Sequence, residues 1–403
     1  MEKSTRNLRL VGRGEISLGE LIHQAVRRTI EQTVEEELQA ALGAGPYERS
    51  TGRSGYRNGA KERTLTGPTG PVELTLPRGR LKRDEGGTEE FRSTVVPRYQ
   101  RRMREINEAL VGVYLSGGNT RRIRGAMRPL LKDAPLSKSA ISRVVGTLRG
   151  EWEAWRARSL ADLNVAYLYL DAIALKVRSA GKVTGLPVLA AVAVLTDGTK
   201  RLVSLEICSA ESTAAWEGFV QGLSSRGMKA PRLCIIDGNA GLHAAITLLW
   251  RTTKIQRCVV HKLRNILRKV PKHAQEEVTA DFHLIVYATG LDQARTAMDA
   301  FVKKWTKRCP GAVESLNEAG EELLTFYAFP EEQWKTIRTT NVIERLNGEF
   351  RRRVKTQGSF PSETCAIVLL YSLVASGQIN LRRLDGYEKI VDVITKEEEE
   401  QAA

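Results

Sequence analysis

The 403-residue chain has only five cysteines, Cys208, Cys234, Cys258, Cys309 and Cys365, scattered and odd in number. That excludes a disulfide framework and points to a reducing compartment. Continuous hydrophobicity is scarce as well. The N-terminus, MEKSTRNLRL, has no apolar signal core. The longest apolar run, around LPVLAAVAVL, falls short of the roughly 18 residues that a membrane span needs. The stretch GGNTRR is too short and wrongly placed to be a nucleotide-binding loop. No serine, cysteine or lysine has a partner spaced to activate it as a nucleophile. The expectation from these absences is a soluble cytoplasmic protein with no membrane partner.

What the chain does have is size, core-forming residues and positive charge. Hydrophobic residues make up 42%, enough for real cores and against global disorder. The length implies two or three domains. The net charge is +15, which calls for a polyanionic partner. The excess is uneven: residues 1–150 hold 28 Lys and Arg against 17 Asp and Glu, so 11 of the 15 charges lie there.

Periodicity divides the chain into six segments. Residues 1–45 contain an amphipathic helix, with Leu18, Ile22, Val26, Ile30, Val34 and Leu38 four apart, read as a packing or self-association face. Residues 46–98 are rich in Gly, Pro and Arg and read as hairpin-like, with VELTLP alternating as a short strand beyond a Gly-Pro turn. There Arg53, Arg57, Lys61 and Arg63 mix with Tyr47 and Tyr56, as on nucleic-acid surfaces. Residues 99–150 read as three helices ending in a helix-turn-helix. Arg121 and Arg122 open its first helix, and Lys138, Ser139, Ser142 and Arg143 lie on the exposed start of the recognition helix. From 160 to 270 strands and helices alternate: three strands in hairpin order, then helix–strand–helix–strand–helix. That is the order of a ribonuclease-H-like core. Residues 271–335 read as a helical insertion, and 336–395 return to the core as helices. The fold class expected is thus α/β: a ribonuclease-H-like catalytic core with an all-α insertion, preceded by helical and helix-turn-helix DNA-binding domains.

Two aspartates stand out in the core. Asp171 lies in the first strand, on the face of Val165, Tyr167 and Tyr169, where a carboxylate is costly unless paired, hydrogen-bonded or metal-bound. Asp237 ends the strand LCIID and is followed by Gly238, at a carboxyl end where sites gather. Either aspartate alone is as readily structural. In this strand order they become neighbours, and Mg²⁺ is held by a few carboxylates together with phosphate and water. A third acid from a later helix completes a two-metal site. Glu344, in TTNVIERLNGEFRRR, is on the right element.

YLYLDAIALKVR, DGNAGL, QRCVVHKLRNIL and TTNVIERLNGEFRRRVK resemble the mutator-type transposases of bacterial insertion sequences, and the likeness extends to YRNGAKERTL and RSTVVPRYQRR. The resemblance implies an Asp–Asp–Glu triad at Asp171, Asp237 and Glu344, and a circular intermediate during transposition. It also implies that the pair Cys258 and His261 lies next to the active site. A zinc site from that pair is disfavoured, since no second Cys/His pair is suitably spaced. Arg264 and Asn265, one turn on, are expected to reach phosphate or back the acids. Asn341 and Asn347 flank Glu344 by one turn and are expected to orient it or contact the DNA backbone. Arg351 shares its face, Arg352 and Arg353 extend the basic end, and Glu349 is expected to pair with a neighbouring arginine. Trp334 is read as either a base-stacking aromatic or a core residue.

The resulting expectation is an enzyme. It binds the terminal inverted repeats of its element as double-stranded DNA, holds two Mg²⁺ ions (Mn²⁺ substituting), and joins a 3′-hydroxyl to target DNA as a homodimer or higher. The alternative is a domesticated, catalytically silent DNA-binding protein.

Overall fold

The computed structural model describes residues 16–393, except 49, 84–85, 117–119, 133–135, 180–181, 356–357 and 361. The chain divides into two units at the 145/146 boundary.

In the first unit, Ser17 opens α1 (Leu18–Leu42) through a reciprocal capping box: Glu20 N donates to Ser17 Oγ, and Ser17 N to the Glu20 carboxylate. Gly43, at φ 66°, ends the helix in the left-handed conformation that glycine adopts without strain. The apolar stripe is used unevenly. Val34, Leu38 and Leu42 are buried, while Leu18, Leu21 and Ile22 are exposed. The Gly/Pro/Arg-rich segment forms a three-stranded antiparallel sheet of β1 (Gly55–Gly67), β2 (Gly70–Lys82) and β3 (Thr88–Glu90), in the order β1-β2-β3. This is far more strand than VELTLP alone indicates. Only one face of β2 is apolar: Val72, Leu74 and Leu76 alternate inward against Val34, Leu65 and Val96. Helices α2 (Arg104–Leu115) and α3 (Thr120–Leu131) enclose a small core that includes Ile106, Leu110, Ile123 and Met127, and α4 (Lys138–Ala157) follows. Helix α4 runs unbroken through Gly150, where the pattern suggests a separate helix.

The second unit is built on a five-stranded mixed sheet. Strands β4 (Val165–Ser179), β5 (Lys182–Leu195) and β6 (Lys200–Ile207) are antiparallel. Next come α5 (Thr213–Ser225), β7 (Leu233–Ile236), α6 (Ala240–Leu249) and β8 (Lys254–Arg257), with β7 and β8 parallel to β4. The order β6-β5-β4-β7-β8 makes the first and fourth strands neighbours, as the pattern predicts. Leu168 and Leu170 join Trp216 and Phe219 of α5 and Leu242 of α6 in one core. The alternate residues Tyr167 and Tyr169 face the other side, where their hydroxyls donate to Gln333 Oε1 (2.6 Å) and the Thr336 carbonyl (3.2 Å).

Helix α7 (Val259–Arg268) leads into α8 (Gln275–Val286), α9 (Leu291–Trp305) and α10 (Pro310–Ala319). These pack around Phe282, Phe301, Trp305 and Leu316. After two 3₁₀ turns and α11 (Glu331–Ile337), α12 (Asn341–Val354) and α13 (Glu363–Ala375) return to lie against β4. No helix among the described residues is long and apolar enough to cross a membrane.

Candidate active site

The parity of β4 decides where Asp171 points. It shares the face of Tyr167 and Tyr169, the side on which α12 lies, and Asn347 Nδ2 of α12 donates to Asp171 Oδ2 at 2.8 Å. The neighbouring strand brings the second acid. In the parallel pair β4–β7, Tyr167 is in register with Leu233 and Tyr169 with Ile235. Carrying that register two residues further sets Asp171 beside Asp237. Their charges interact. Burial, then the Asp237 charge, lifts the Asp171 carboxyl to about 6, against the opposing pull of its own backbone bond to Ala172, the His261 ring and Asn347. No lysine or arginine among the described residues forms an ion pair with either aspartate. A half-buried pair of oxygen donors without a cation of the chain's own among the described residues suits a hard divalent ion. The orphaned Oδ1 of buried Asn347 adds an unsatisfied oxygen at the same place.

Asp237 sits on a tight turn. Its Oδ1 accepts from Asn239 N at 3.0 Å, and Asn239 caps α6. Gly238 adopts φ 104°, and a Cβ there would fall 2.3 Å from Arg257 Nη2, so only glycine fits over that guanidinium. Arg257 is itself buried. It donates to Glu318 at 2.7 Å and lies 3.7 Å from Glu322, which in turn meets His243 at 2.6 Å, while Lys262 also binds Glu318. The turn thus rests on an arginine held by the inserted helices. Glu211 is also close: it accepts from Asn239 Nδ2 at 2.8 Å, and burial, with a contribution from Asp237, raises its pKa.

Glu344 stands in the first turn of α12, where the helix dipole favours an acid. Thr340 controls it. Its fully buried side chain donates from Oγ1 to Glu344 Oε1 at 2.8 Å and lies 3.3 Å from His261 Nδ1; the Thr340 backbone N donates to Cys258 Sγ at 3.3 Å. His261 Nδ1 is 3.5 Å from Glu344. Burial pushes the Cys258 thiol up, but bonds from His261 and Thr340 outweigh it and leave the thiol below its ordinary value. The bond with Cys258, and then the charges of the thiolate, Glu344 and Asp237, raises His261. Cys258, His261 and Glu344 therefore present three donor atoms within 4.8 Å of one another. Sulfur and imidazole suit zinc better than magnesium. Glu344 is the carboxylate of that set.

Several expected roles change. Asn347 serves Asp171, not Glu344, and Asn341 lines a neighbouring cleft. The orienting group for Glu344 is Thr340. Asn265 lines a cleft between α7 and α10 with Lys262 and Glu318. Arg264 is exposed on α7 and Arg351 on α12. Glu349 pairs with Arg352 as anticipated, and Arg353 donates to Gln378 at 3.2 Å. Trp334 is packed edge-on against Phe326 and Tyr327, with its N–H donated to the Phe329 carbonyl at 2.7 Å. That is a packing residue's arrangement.

In the first unit, Arg63 gives its guanidinium to three carbonyls, of Val96, Pro97 and Gln100, and Arg57 pairs with Glu35 at 2.7 Å. Arg63 is therefore a clamp on its own fold. Arg53 donates to the Glu48 carbonyl at 3.2 Å, and Lys61 is exposed. Arg122 is exposed on α3; Ser139, Ser142 and Arg143 are exposed on the first turns of α4. The side chains of Arg121 and Lys138 lie outside the described residues.

Sequence comparison agrees with the motifs. The family model for transposases of the mutator family matches residues 4–383. The transposase for insertion sequence element ISRM5 of Rhizobium meliloti (strain 1021) is 33% identical over 372 residues, 92% of this chain and 91% of that one. The transposase for insertion sequence element IS406 of Burkholderia multivorans is 31% identical over 87% of this chain and 89% of its own. This chain belongs to the mutator family of transposases. Among solved structures, the Drosophila P element transposase strand transfer complex aligns over 70% of this chain and 94% of its own, at 10% identity and a TM-score of 0.40.

Proposed function

We propose that this transposase cuts and joins DNA in its second unit, a ribonuclease-H-like core, with Asp171, Asp237 and Glu344 as the catalytic acids. The observation that supports this most is the parallel register of β4 and β7, which sets two acids side by side with no lysine or arginine among the described residues paired to them. Asp171, Asp237 and Glu344 would hold two Mg²⁺ ions, with Mn²⁺ able to substitute, and the ions when bound supply activation of the attacking oxygen and charge stabilisation at phosphorus. The chain supplies position. Asn347 holds one oxygen of Asp171, Thr340 holds one oxygen of Glu344, and Gly238 lets the Asp237 turn seat directly on Arg257. Arg351 and Arg352 are the phosphate-seeking end of α12. Water first cleaves the element end to free a 3′-hydroxyl, which then attacks a target phosphodiester in line; no covalent enzyme intermediate is needed.

The first unit would recognise the terminal inverted repeats. Lys61 and Arg53 contact phosphates, and the start of α4, with Ser139, Ser142 and Arg143, enters the major groove as a recognition helix. Joining two ends in one complex calls for a dimer or higher.

The test is incubation with Mg²⁺, a labelled element end and target DNA. Nicked and joined products are expected, and Asp237→Asn should abolish joining while keeping end binding. Normal joining by Asp237→Asn would remove the assignment. Binding without nicking by the wild-type protein would favour a silent DNA-binding role, and nicking without joining a simple nuclease.

A further inference from the structure

Beside the acid site, on the next stripe of α12, lies a cleft of about 750 Å³. Asn341, Arg345, Gly348 and Arg352 line it at helical spacing, one residue out of phase with Thr340, Glu344, Asn347 and Arg351. The opposite wall is the segment after α13, with Arg382 and Arg383, and Lys200 at the start of β6. Small-molecule pockets are mostly apolar with a few polar groups; this cleft has six cationic residues against two acids. One acid, Glu349, is already occupied by Arg352. Among the described residues, neither Lys335, Arg345 nor Arg382 has an ion-pair partner. Half-buried Lys200 donates to the Arg383 carbonyl at 3.3 Å; burial first, and the nearby Arg345 charge, lower its pKa against the opposing pull of Asp385. Bringing unpaired cations together around a cavity costs free energy that an entering anion returns. Gly348 sits in mid-helix, where glycine costs about 1 kcal/mol relative to alanine. Among the described residues, no atom beyond its own stretch of helix comes within 4 Å of where its Cβ would be.

We propose that this cleft binds the phosphodiester backbone of the DNA strand that runs away from the reacting bond. It rests on the reading of Asp171, Asp237 and Glu344 as the reacting centre, since Glu344 and Arg345 are consecutive on α12. Arg345 and Arg382 grip phosphates from opposite walls, and the amides of Asn341 and Asn380 are within the cleft to bond sugar or base edges.

The experiment measures binding of the full chain, in EDTA, to a fluorescein-labelled duplex with a single-stranded overhang, over a series of salt concentrations. Each phosphate contact contributes about 0.7–0.9 to the slope of log Kobs against log salt. Arg345→Ala/Arg382→Ala should therefore reduce that slope by about 1.5. Lys272→Ala/Lys307→Ala, an equal loss of charge outside the cleft, should leave it near the wild-type value. Gly348→Leu changes no charge and favours the helix, yet fills the cleft, and should weaken binding severalfold. A cleft variant no different from the lysine control, with a normal wild-type slope, would overturn the cleft alone. Absence of salt-dependent binding in the wild-type protein would overturn the underlying DNA reading and the cleft with it.

Discussion

The two units handle charge in opposite ways. The first carries most of the positive excess, yet many of its arginines are already engaged: Arg57 with Glu35, Arg78 with Glu90, Arg83 with Glu89, Arg104 with Glu108, and Arg63 with three carbonyls. The second unit is closer to neutral, but among the described residues its strand register brings Asp171 and Asp237 together without a lysine or arginine partner, while its basic cleft leaves Arg345 and Arg382 without an ion pair. Net charge therefore says which half of the chain favours a polyanion. Local pairing says which residues remain available for it. The unpaired groups, not the numerous ones, mark where an outside partner is needed.

The largest departure from this contrast is Arg257, a buried cation that is paired, orders the Asp237 turn and belongs to the second unit. Arg257→Gln should cost about 2 kcal/mol of stability, because Glu318 and Glu322 lose their partner and the support under Gly238 goes. Urea unfolding checks the stability. Strand joining should fall as well, and a variant with wild-type stability would remove Arg257 from its supporting role.

A smaller effect is expected at Thr340. Thr340→Val keeps the shape but deletes the hydroxyl that binds Glu344. It should lower joining by about tenfold, as loss of an outer partner of a ligand typically does, and Thr340→Ser should recover most of it. Equal loss in both variants would mean that the methyl packing, not the hydroxyl, matters.

The smallest effects contrast two basic residues of one strand. Lys61→Ala should reduce the salt slope of end binding by about 1 and leave the thermal midpoint unchanged. Arg63→Ala should lower the midpoint, since Val96, Pro97 and Gln100 lose a shared donor, and leave the slope unchanged. The reverse pattern would show that internal pairing does not separate structural from DNA-facing arginines.

These residues also show what could be read from the sequence. Strand alternation placed Asp171 on the tyrosine face, the strand order made it a neighbour of Asp237, and both relations hold in the sheet. Glu344 was found through a motif. Thr340 was passed over because a threonine ahead of a helix reads as an ordinary cap, and its contacts with Cys258 and His261 depend on how the α12 first turn is laid against α7. Arg63 was misread because its acceptors lie 33 to 37 residues away in sequence, a contact that no local pattern reports. The long hairpin β1–β2 was under-read since one face is polar and charged, so that half its positions resemble loop. Gly150 broke α4 on paper, but a Cβ there would be in open space and the helix carries its cost.

The central claim is that the oxygen donors of β4, β7 and α12, rather than the sulfur and imidazole of α7, hold the catalytic cation. Mn²⁺ binding followed by electron paramagnetic resonance tests it directly on the full chain. The account predicts binding to the wild-type protein, its loss in Asp171→Asn and Asp237→Asn, and its retention in Cys258→Ser. Unchanged binding in both aspartate variants, or loss confined to Cys258→Ser, would contradict it.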